Sequence, residues 1–456
     1  MAQTLSWLPD LSKREGPLYQ ALADQLANDI ASGRLEVGTR LPPQRALAWE
    51  LGCTHGTVTR AYERAEKMGL VQGEIGRGTY VKGHETLPSP LSPPANQGAE
   101  LDFARNFSLP HLDPDLSAAL GYLSSQSGLN SLLNYVPADG LLRHKEAGAF
   151  FFRHFAVTCS VEDVLVTSGA QHGLQVVLQS LFREGDYLAV DELSYPNLIS
   201  ASHRLGVRLV PVRRDCEGMS ADHLQDLCKR RSITGLMVLP NVHNPTGEQL
   251  SRSRFEALAD IAERFDLPVI EDDPYSALMQ GHKQSLTQLI PNRVCAIGTT
   301  SKIVGGGLRT GFLYAPSRYR AKLVRAIADT SWMASPILAE IAKYWIEQGE
   351  MERTLERKRK ILQQRHKIAK QALGQAAFLL PDRLSCWLEL PDHWNPAVLE
   401  LEAERHGISL LGSHHFVVGN SQAPKAVRLA LGTVADDEKF SKGLKLLSTI
   451  IQHNPE

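Results

Sequence analysis

Cysteine is sparse and scattered: six residues, at 53, 159, 216, 228, 295 and 386, and no two stand three apart as in a metal knuckle. That pattern offers neither a disulfide framework nor zinc-ligand spacing, so reduced thiols in a cytoplasmic protein are expected and no metal ligand is. Long hydrophobic runs are missing as well. Nothing approaches the roughly 20 apolar residues that span a bilayer, and Met1 to Asp10 lacks the basic start and apolar stretch of a secretory signal. Charge of one sign is also lacking. The net charge is −1, and residues 1–81 set nine basic side chains against nine acidic ones. Electrostatics alone therefore give no argument for nucleic acid. Any such argument must come from motifs.

At 456 residues the chain exceeds one ordinary core, and 43% hydrophobic with 22% charged residues suits a soluble globular protein of two or three domains. Residues 17–33 place Leu18, Leu22, Leu26 and Ile30 on one helical stripe, opened by Pro17 and closed by Gly33. A short helix is predicted over Pro43 to Leu51. A third starts near Thr54, a good N-cap, with Val58, Ala61, Tyr62 and Ala65 at helical spacing. Two extended pieces, Leu70–Glu74 and Thr79–Val81, then flank Gly76-Arg77-Gly78. Three helices and a small hairpin outline a winged helix-turn-helix over 12–82. Residues 83–99 carry four prolines between 88 and 94, the composition of a semi-rigid linker.

From 100 to 450 the pattern changes. Buried strands are predicted at Val164–Thr167, Tyr187–Val190, Gly235–Leu239, Pro268–Glu271 and Val294–Ile297, with helices Ala170–Phe182 and Arg252–Phe265 between them. The alternation predicts an α/β lobe on a mainly parallel sheet. A long helix over Glu352–Leu373 and strands at Ser385–Leu390 and Val427–Leu431 predict a smaller α+β lobe.

The first segment resembles the GntR family of winged-helix regulators. The marks are Pro17-Leu18-Tyr19, Gly33-x-Leu35, Gly38-x-x-Leu41-Pro42, Arg45-x-Leu47-Ala48, Thr57-Val58, Ala61-Tyr62, Gly69 and Gly76-Arg77-Gly78-Thr79-Tyr80-Val81. The resemblance implies double-stranded DNA as partner. It implies Arg45, Thr54, His55, Gly56, Thr57, Thr59 and Arg60 on the groove side, with Arg77 and Gly78 at the wing. Gly78 is expected to let the backbone come close to a phosphate. Two positions depart from the family pattern: His55 replaces a common arginine, and Pro43 a common serine. A neutral imidazole offers one donor where guanidinium offers a fork.

The second segment resembles fold-type I aminotransferases, which use pyridoxal 5'-phosphate. Gly298-Thr-Thr-Ser-Lys302 supplies the lysine whose amine condenses with the cofactor aldehyde. Thr299, Ser301 and Arg309 suit a phosphate dianion. Asn244-Pro-Thr-Gly247 and Asp272-Asp-Pro-Tyr275 follow predicted strands, where ligands gather in open α/β sheets. The resemblance implies Asp272, and not Asp273, on the ring nitrogen, and Asn244 and Tyr275 on the phenolate oxygen. It also implies Ala170 and Gln171 at the phosphate, Tyr195 stacked on the ring, and Arg428 on an amino-acid carboxylate. Tyr135, with Gly140, matches a tyrosine that reaches the phosphate of a partner subunit, which implies a homodimer. Gly306 replaces the family's usual proline. Taken singly, Ser-Lys is a common surface dipeptide, Asn-Pro-Thr-Gly a turn, and Arg428 an ordinary strand arginine; their joint order is what carries the resemblance.

The fusion of these two parts resembles the MocR subfamily. It implies a regulator whose operator affinity responds to pyridoxal phosphate, or to an amine or amino acid reacting there. Two other readings stay open: a working aminotransferase with an accessory DNA-binding part, and a dimerisation module that has lost its cofactor.

Overall fold

A computed structural model of the chain describes residues 5–9, 11, 17–31, 34–35, 38–67, 70–74, 78–81, 100–419, 421 and 423–453. The expected linker 83–99 and the wing residue Arg77 lie outside the described residues.

The N-terminal part opens with α1 (Leu18–Ala31), α2 (Gln44–Glu50) and α3 (His55–Lys67), followed by β1 (Val71–Glu74) and β2 (Gly78–Val81). Leu22 and Leu26 of α1 are buried with Val58, Ala61, Tyr62 and Ala65 of α3, because both helices repeat apolar residues every three or four positions. Three of those positions on the two helices are alanine or valine, which lets the helices approach closely. The Tyr62 hydroxyl donates to the Pro42 carbonyl (2.9 Å) and so ties α3 to the turn before α2. β1 and β2 pair antiparallel, Val71 opposite Val81, and Arg40 adds a bridge to Tyr80.

The larger part is built on a seven-stranded sheet. Its strands are β3 (Val164–Thr167), β4 (Tyr187–Asp191), β5 (Arg208–Val212), β6 (Ile233–Val238), β7 (Val269–Asp272), β8 (Val294–Thr299) and β9 (Gly311–Tyr314), in the order β3-β9-β8-β7-β6-β4-β5. Only β9 runs antiparallel to its neighbours. Every residue of β3, β7 and β8 is buried, as expected for parallel strands covered on both faces. Helices Ala170–Leu181 and Arg252–Arg264 are among those that cover the sheet. Gly311 at the start of β9 is packed on Gly169; a Cβ there would come 2.9 Å from the Gly169 carbonyl carbon. The close approach lets the turn after β3 sit directly over the β8–β9 end of the sheet.

The smaller lobe holds a four-stranded antiparallel sheet formed by Ala377–Phe378, Ser385–Glu389, Leu411–Gly412 and Ala426–Ala430, with helices Pro396–Arg405 and Asp437–Gln452. The long helix Glu350–Leu373 joins the lobes. Two buried cations fix it: Lys358 donates to Asp113 (2.6 Å), and Arg365 to Asp437 (3.0 Å) and to the Leu431 carbonyl (2.6 Å). A buried cation is tolerated only when so satisfied. No helix among the described residues is long and apolar enough to cross a membrane.

Candidate cofactor site and DNA-facing surface

The C-terminal ends of β3, β6, β7 and β8 converge on one cavity of about 210 Å³, closed on the far side by the small lobe. Ala170, Gln171, Tyr195, Asn244, Asp272, Tyr275, Thr299, Ser301, Lys302, Arg309 and Arg428 all line it. Open α/β sheets place ligands at these strand ends because loops there diverge while the strands hold them rigidly.

Lys302 ends a short helical turn directly after β8. The Thr299 hydroxyl caps that turn, accepting from the Ser301 amide (3.2 Å) and donating to the Ser301 hydroxyl (2.9 Å). The Lys302 ammonium donates to the Asn106 carbonyl (2.7 Å) and lies 5.2 Å from the centre of the Tyr275 ring. The Ser108 hydroxyl donates to the Lys302 carbonyl (2.5 Å).

Asp272, at the end of β7, is 5% exposed. One carboxylate oxygen accepts from the Tyr195 hydroxyl (2.5 Å); the other, Oδ1, has no hydrogen-bond partner among the described residues. Burial pushes its pKa up to about 6; the Tyr195 hydrogen bond and Lys302 pull the other way, and Asp273 adds to the rise. Asp273 is fully engaged elsewhere, with the Asn241 amide group (2.7 Å) and the Ser276 backbone (3.2 Å). The two adjacent carboxyls thus differ: one is saturated by protein, the other keeps an oxygen for something else.

Arg428 is 4% exposed. It donates to Asn244 Oδ1 (3.0 Å) and the Ala104 carbonyl (2.5 Å), packs 5.1 Å from the Phe416 ring centre, and keeps Nε without a hydrogen-bond partner among the described residues. At the opposite end, Arg309 adopts a left-handed backbone (φ 47°) and reaches the Ser168 carbonyl (3.3 Å). Such a backbone costs a non-glycine residue on the order of 1 kcal/mol or more and is held only where surrounding structure demands it. Gly169 (φ 85°) lies beneath the guanidinium, and a Cβ there would sit 2.7 Å from Nη2. Ala170 opens the helix Ala170–Leu181, so free amides, two hydroxyls and a guanidinium meet at one anion-binding corner.

The donor set fits pyridoxal phosphate. An anion-binding corner, a lysine amine and a buried carboxylate oxygen awaiting a donor stand in the arrangement that a phosphate, an aldehyde and a ring N–H require. A buried acceptor left empty costs about 1–3 kcal/mol, which a ring N–H would recover. Tyr135 is not brought to this cavity. It is 80% exposed and packs against Trp332, ring centres 5.5 Å apart.

Sequence reasoning missed Asn106, Ser108 and Asn197. Asn106 Oδ1 is buried without a partner among the described residues, and Asn197 donates to Gln171 (3.2 Å). Residues 104–109 have no repeating pattern or motif, so no signal in the sequence marks them.

On the N-terminal part, Thr54 caps α3, its hydroxyl accepting from the Thr57 amide (3.3 Å). Arg45, His55, Gly56 and Arg60 are exposed along α2 and the first turns of α3, and Arg60 lies 5.2 Å from the Tyr19 ring centre. The Thr59 hydroxyl is used within the fold, donating to Gln44 (2.8 Å) across the helix-turn-helix. Gly78 (φ +117°) lies against a side chain: a Cβ there would come 2.9 Å from Arg40 Nε. Arg40, exposed and seated against β2, was not singled out from the sequence.

These features define a two-part protein, a winged helix joined to a lysine-bearing cofactor fold. The family described as "Aminotransferase class I and II" matches residues 118–443, and "Bacterial regulatory proteins, gntR family" matches residues 18–81. The chain is 30% identical to the uncharacterized HTH-type transcriptional regulator YdeF of Bacillus subtilis, over 98% of this chain and 97% of that one. It is 27% identical to the vitamin B6 salvage pathway transcriptional repressor PtsJ of Salmonella typhimurium, covering 93% and 96%. An archaeal alanine:glyoxylate aminotransferase superposes with a TM-score of 0.71 at 25% identity, over 77% of this chain and 90% of that one. The chain belongs to the class I and II aminotransferase family and carries a gntR-type DNA-binding domain, the composition of the MocR subfamily of regulators. That family implies pyridoxal phosphate as cofactor.

Proposed function

We propose that the protein is a transcription regulator that binds double-stranded DNA through α2, α3 and the β1–β2 hairpin, and that an amine or amino acid reacting at Lys302 changes its operator affinity. The observation that carries this reading is the cavity itself. Lys302, the half-satisfied Asp272 and the half-satisfied Arg428 face one space in a chain that also bears a winged helix.

When bound, pyridoxal phosphate supplies an aldehyde that exchanges the lysine amine for a ligand amine, and a ring that draws electrons from it. Thr299, Ser301, Arg309 and the amides of Ala170 and Gln171 would hold the phosphate. Asp272 would take the ring N–H on Oδ1 while Tyr195 holds its other oxygen and borders the ring. Asn244 and Tyr275 would donate to the phenolate oxygen. Arg428 would clamp a carboxylate with the Nε that no described residue engages. Lys302, once displaced, has a resting partner in the Asn106 carbonyl.

The segment 104–109 supports coupling. Its carbonyls accept from Arg428 (Ala104) and Lys302 (Asn106), and Ser108 binds the Lys302 backbone. It therefore meets both groups that a ligand would engage, only a few residues beyond the stretch that leads from the winged helix. A ligand shifts DNA affinity only by its differential affinity for the two arrangements. A homodimer goes with this reading: Leu133, Tyr135, Leu142 and Trp332 are exposed apolar residues, and Tyr135 would reach the phosphate of a second copy. So does a cytoplasmic location.

The test is to titrate the protein onto its own upstream intergenic DNA with and without a panel of amines, in wild type and Lys302→Ala. The expected result is a ligand-dependent change of several-fold that K302A abolishes. DNA affinity unmoved by every amine and by cofactor removal would overturn the reading. Sustained amino-group transfer between amino and keto acids would instead make the protein an enzyme, since Asp272, Lys302 and Arg428 all line the cavity.

A further inference from the structure

A second cluster of side chains lies in the small lobe, outside the cofactor cavity. Glu400 projects from the helix Pro396–Arg405, and His414 and His415 from the short turn Ser413–Phe416. His415 Nε2 stands 3.1 and 3.0 Å from the two Glu400 oxygens, and His414 Nε2 stands 3.5 Å from Oε2. One ligand atom from each of the three residues lies within 4.8 Å of the others. We propose that Glu400, His414 and His415 form a binding site for a divalent transition-metal ion of the zinc class.

A hydrogen-bonded acid–imidazole pair accounts for His415 but not for His414. The His414 Nδ1 is buried with no partner among the described residues, and its Nε2 is beyond good hydrogen-bonding range of the carboxylate. In a tetrahedral zinc site, bonds of about 2.0–2.1 Å set ligand atoms roughly 3.3 Å apart. The glutamate–imidazole spacings, 3.0 Å for His415 and 3.5 Å for His414, bracket that value.

The surroundings are arranged for the cluster. The Gly412 amide donates to Glu400 Oε2 (3.1 Å), fixing the carboxylate as outer-sphere partners of metal ligands do. A Cβ on Gly412 would meet His414 Cε1 at 2.5 Å, so glycine there is what leaves room for the ring. Side-chain exposures of 25%, 12% and 17% for Glu400, His414 and His415 leave a path from solvent. Nitrogen, nitrogen and oxygen donors suit zinc and its neighbours better than calcium or magnesium, and three protein ligands leave a fourth position for water.

The location gives an ion something to act on. Phe416, the next residue, packs under Arg428, and its carbonyl accepts from the Ser194 amide (2.7 Å), one residue before Tyr195. α1 of the winged helix rests on the same helix and turn. An ion that pins Pro396–Arg405 to Ser413–Phe416 would stiffen the support of Arg428; this consequence, unlike the site, rests on the regulator reading.

The experiment uses untagged full-length protein, freed of metal with chelator and titrated with zinc sulfate by calorimetry, with bound metal counted after dialysis. One ion per chain is expected, and Glu400→Gln and His415→Ala should each weaken binding by about 100-fold or more. E400Q keeps an oxygen for the Gly412 amide, so its fold, checked by the Lys302-linked absorbance with pyridoxal phosphate and by Tm in chelator, should match wild type. Lys302→Ala should bind zinc like wild type, which separates this proposal from the fate of the cofactor reading. No retained ion, or an ion held equally by wild type, E400Q and H415A, would overturn it.

Discussion

The cofactor cavity and the recognition helix are both sets of polar side chains, yet they hold their chemistry in opposite ways. In the cavity, Asp272 and Arg428 are nearly sealed from water and each keeps one atom without a partner among the described residues. Around α3, Arg45, His55 and Arg60 stand in solvent, where water satisfies them and where a duplex would replace that water. A buried polar site specifies its ligand by geometry, because a poorly fitting ligand leaves a desolvated group unpaired. An exposed face specifies through the surface it meets, so each residue there matters less.

The sharpest break of that comparison is Asp272→Asn. The amide can still meet Tyr195 but loses the negative charge toward the ring nitrogen. Cofactor affinity should fall by about 10–100-fold, since hydrogen bonds to charged groups contribute about 1.5–3 kcal/mol. Spectrophotometric titration with pyridoxal phosphate checks it, and an unchanged affinity would show that Oδ1 faces no ring donor.

Next comes the neighbouring Glu271, buried on the same strand and accepting from the Leu286 amide (2.7 Å). Burial raises its pKa from 4.5 to about 8. The folded chain then holds a proton that the unfolded chain releases between those values. Its contribution to stability is full below pH 4.5 and is lost as pH rises through 8, with a limiting slope of about 1.4 kcal/mol per pH unit. Urea unfolding across this range should show the slope in wild type and lose it in Glu271→Gln.

On the exposed side, Arg60→Ala should weaken DNA binding by about tenfold and leave the cofactor absorbance untouched; a fluorescence-anisotropy titration decides. The smallest effect is expected from Thr54→Ala. Losing the cap of α3 should cost the N-terminal domain about 1 kcal/mol in urea unfolding. A loss several-fold larger would mean that the exposed face depends on single residues as the cavity does.

Much of this was legible in the chain. Strands Val164–Thr167, Val269–Asp272 and Val294–Thr299 stand within one or two residues of their sequence-based bounds, because fully buried strands carry unbroken apolar runs. Helix Glu350–Leu373 begins two residues before its predicted start, just after Gly349, whose left-handed backbone opens it. Motif residues such as Lys302 and Asp272 sit at strand ends, where local sequence and position in the sheet coincide. Residues 104–109 were illegible, since their role comes from carbonyls, and a carbonyl has no letter. The Thr59 hydroxyl was expected to face DNA, yet it donates to Gln44 of α2, a contact set by how two helices pack. Glu400, His414 and His415 escaped notice because their spacing matches no metal motif; a helix and a later turn bring them together.

The amino-acid order by itself determined where helices and strands form, that a lysine follows the strand Val294–Thr299 of the cofactor fold, and that a winged helix precedes it. These follow from periodicity and from residue types whose chemistry has few substitutes. Only the tertiary structure decided which of two adjacent aspartates keeps an open oxygen, that Arg40 fills the space beside Gly78, and that the chain from 104 to 109 touches both Lys302 and Arg428. Satisfaction of a polar atom is a property of all its neighbours at once, and those neighbours come from segments hundreds of residues apart.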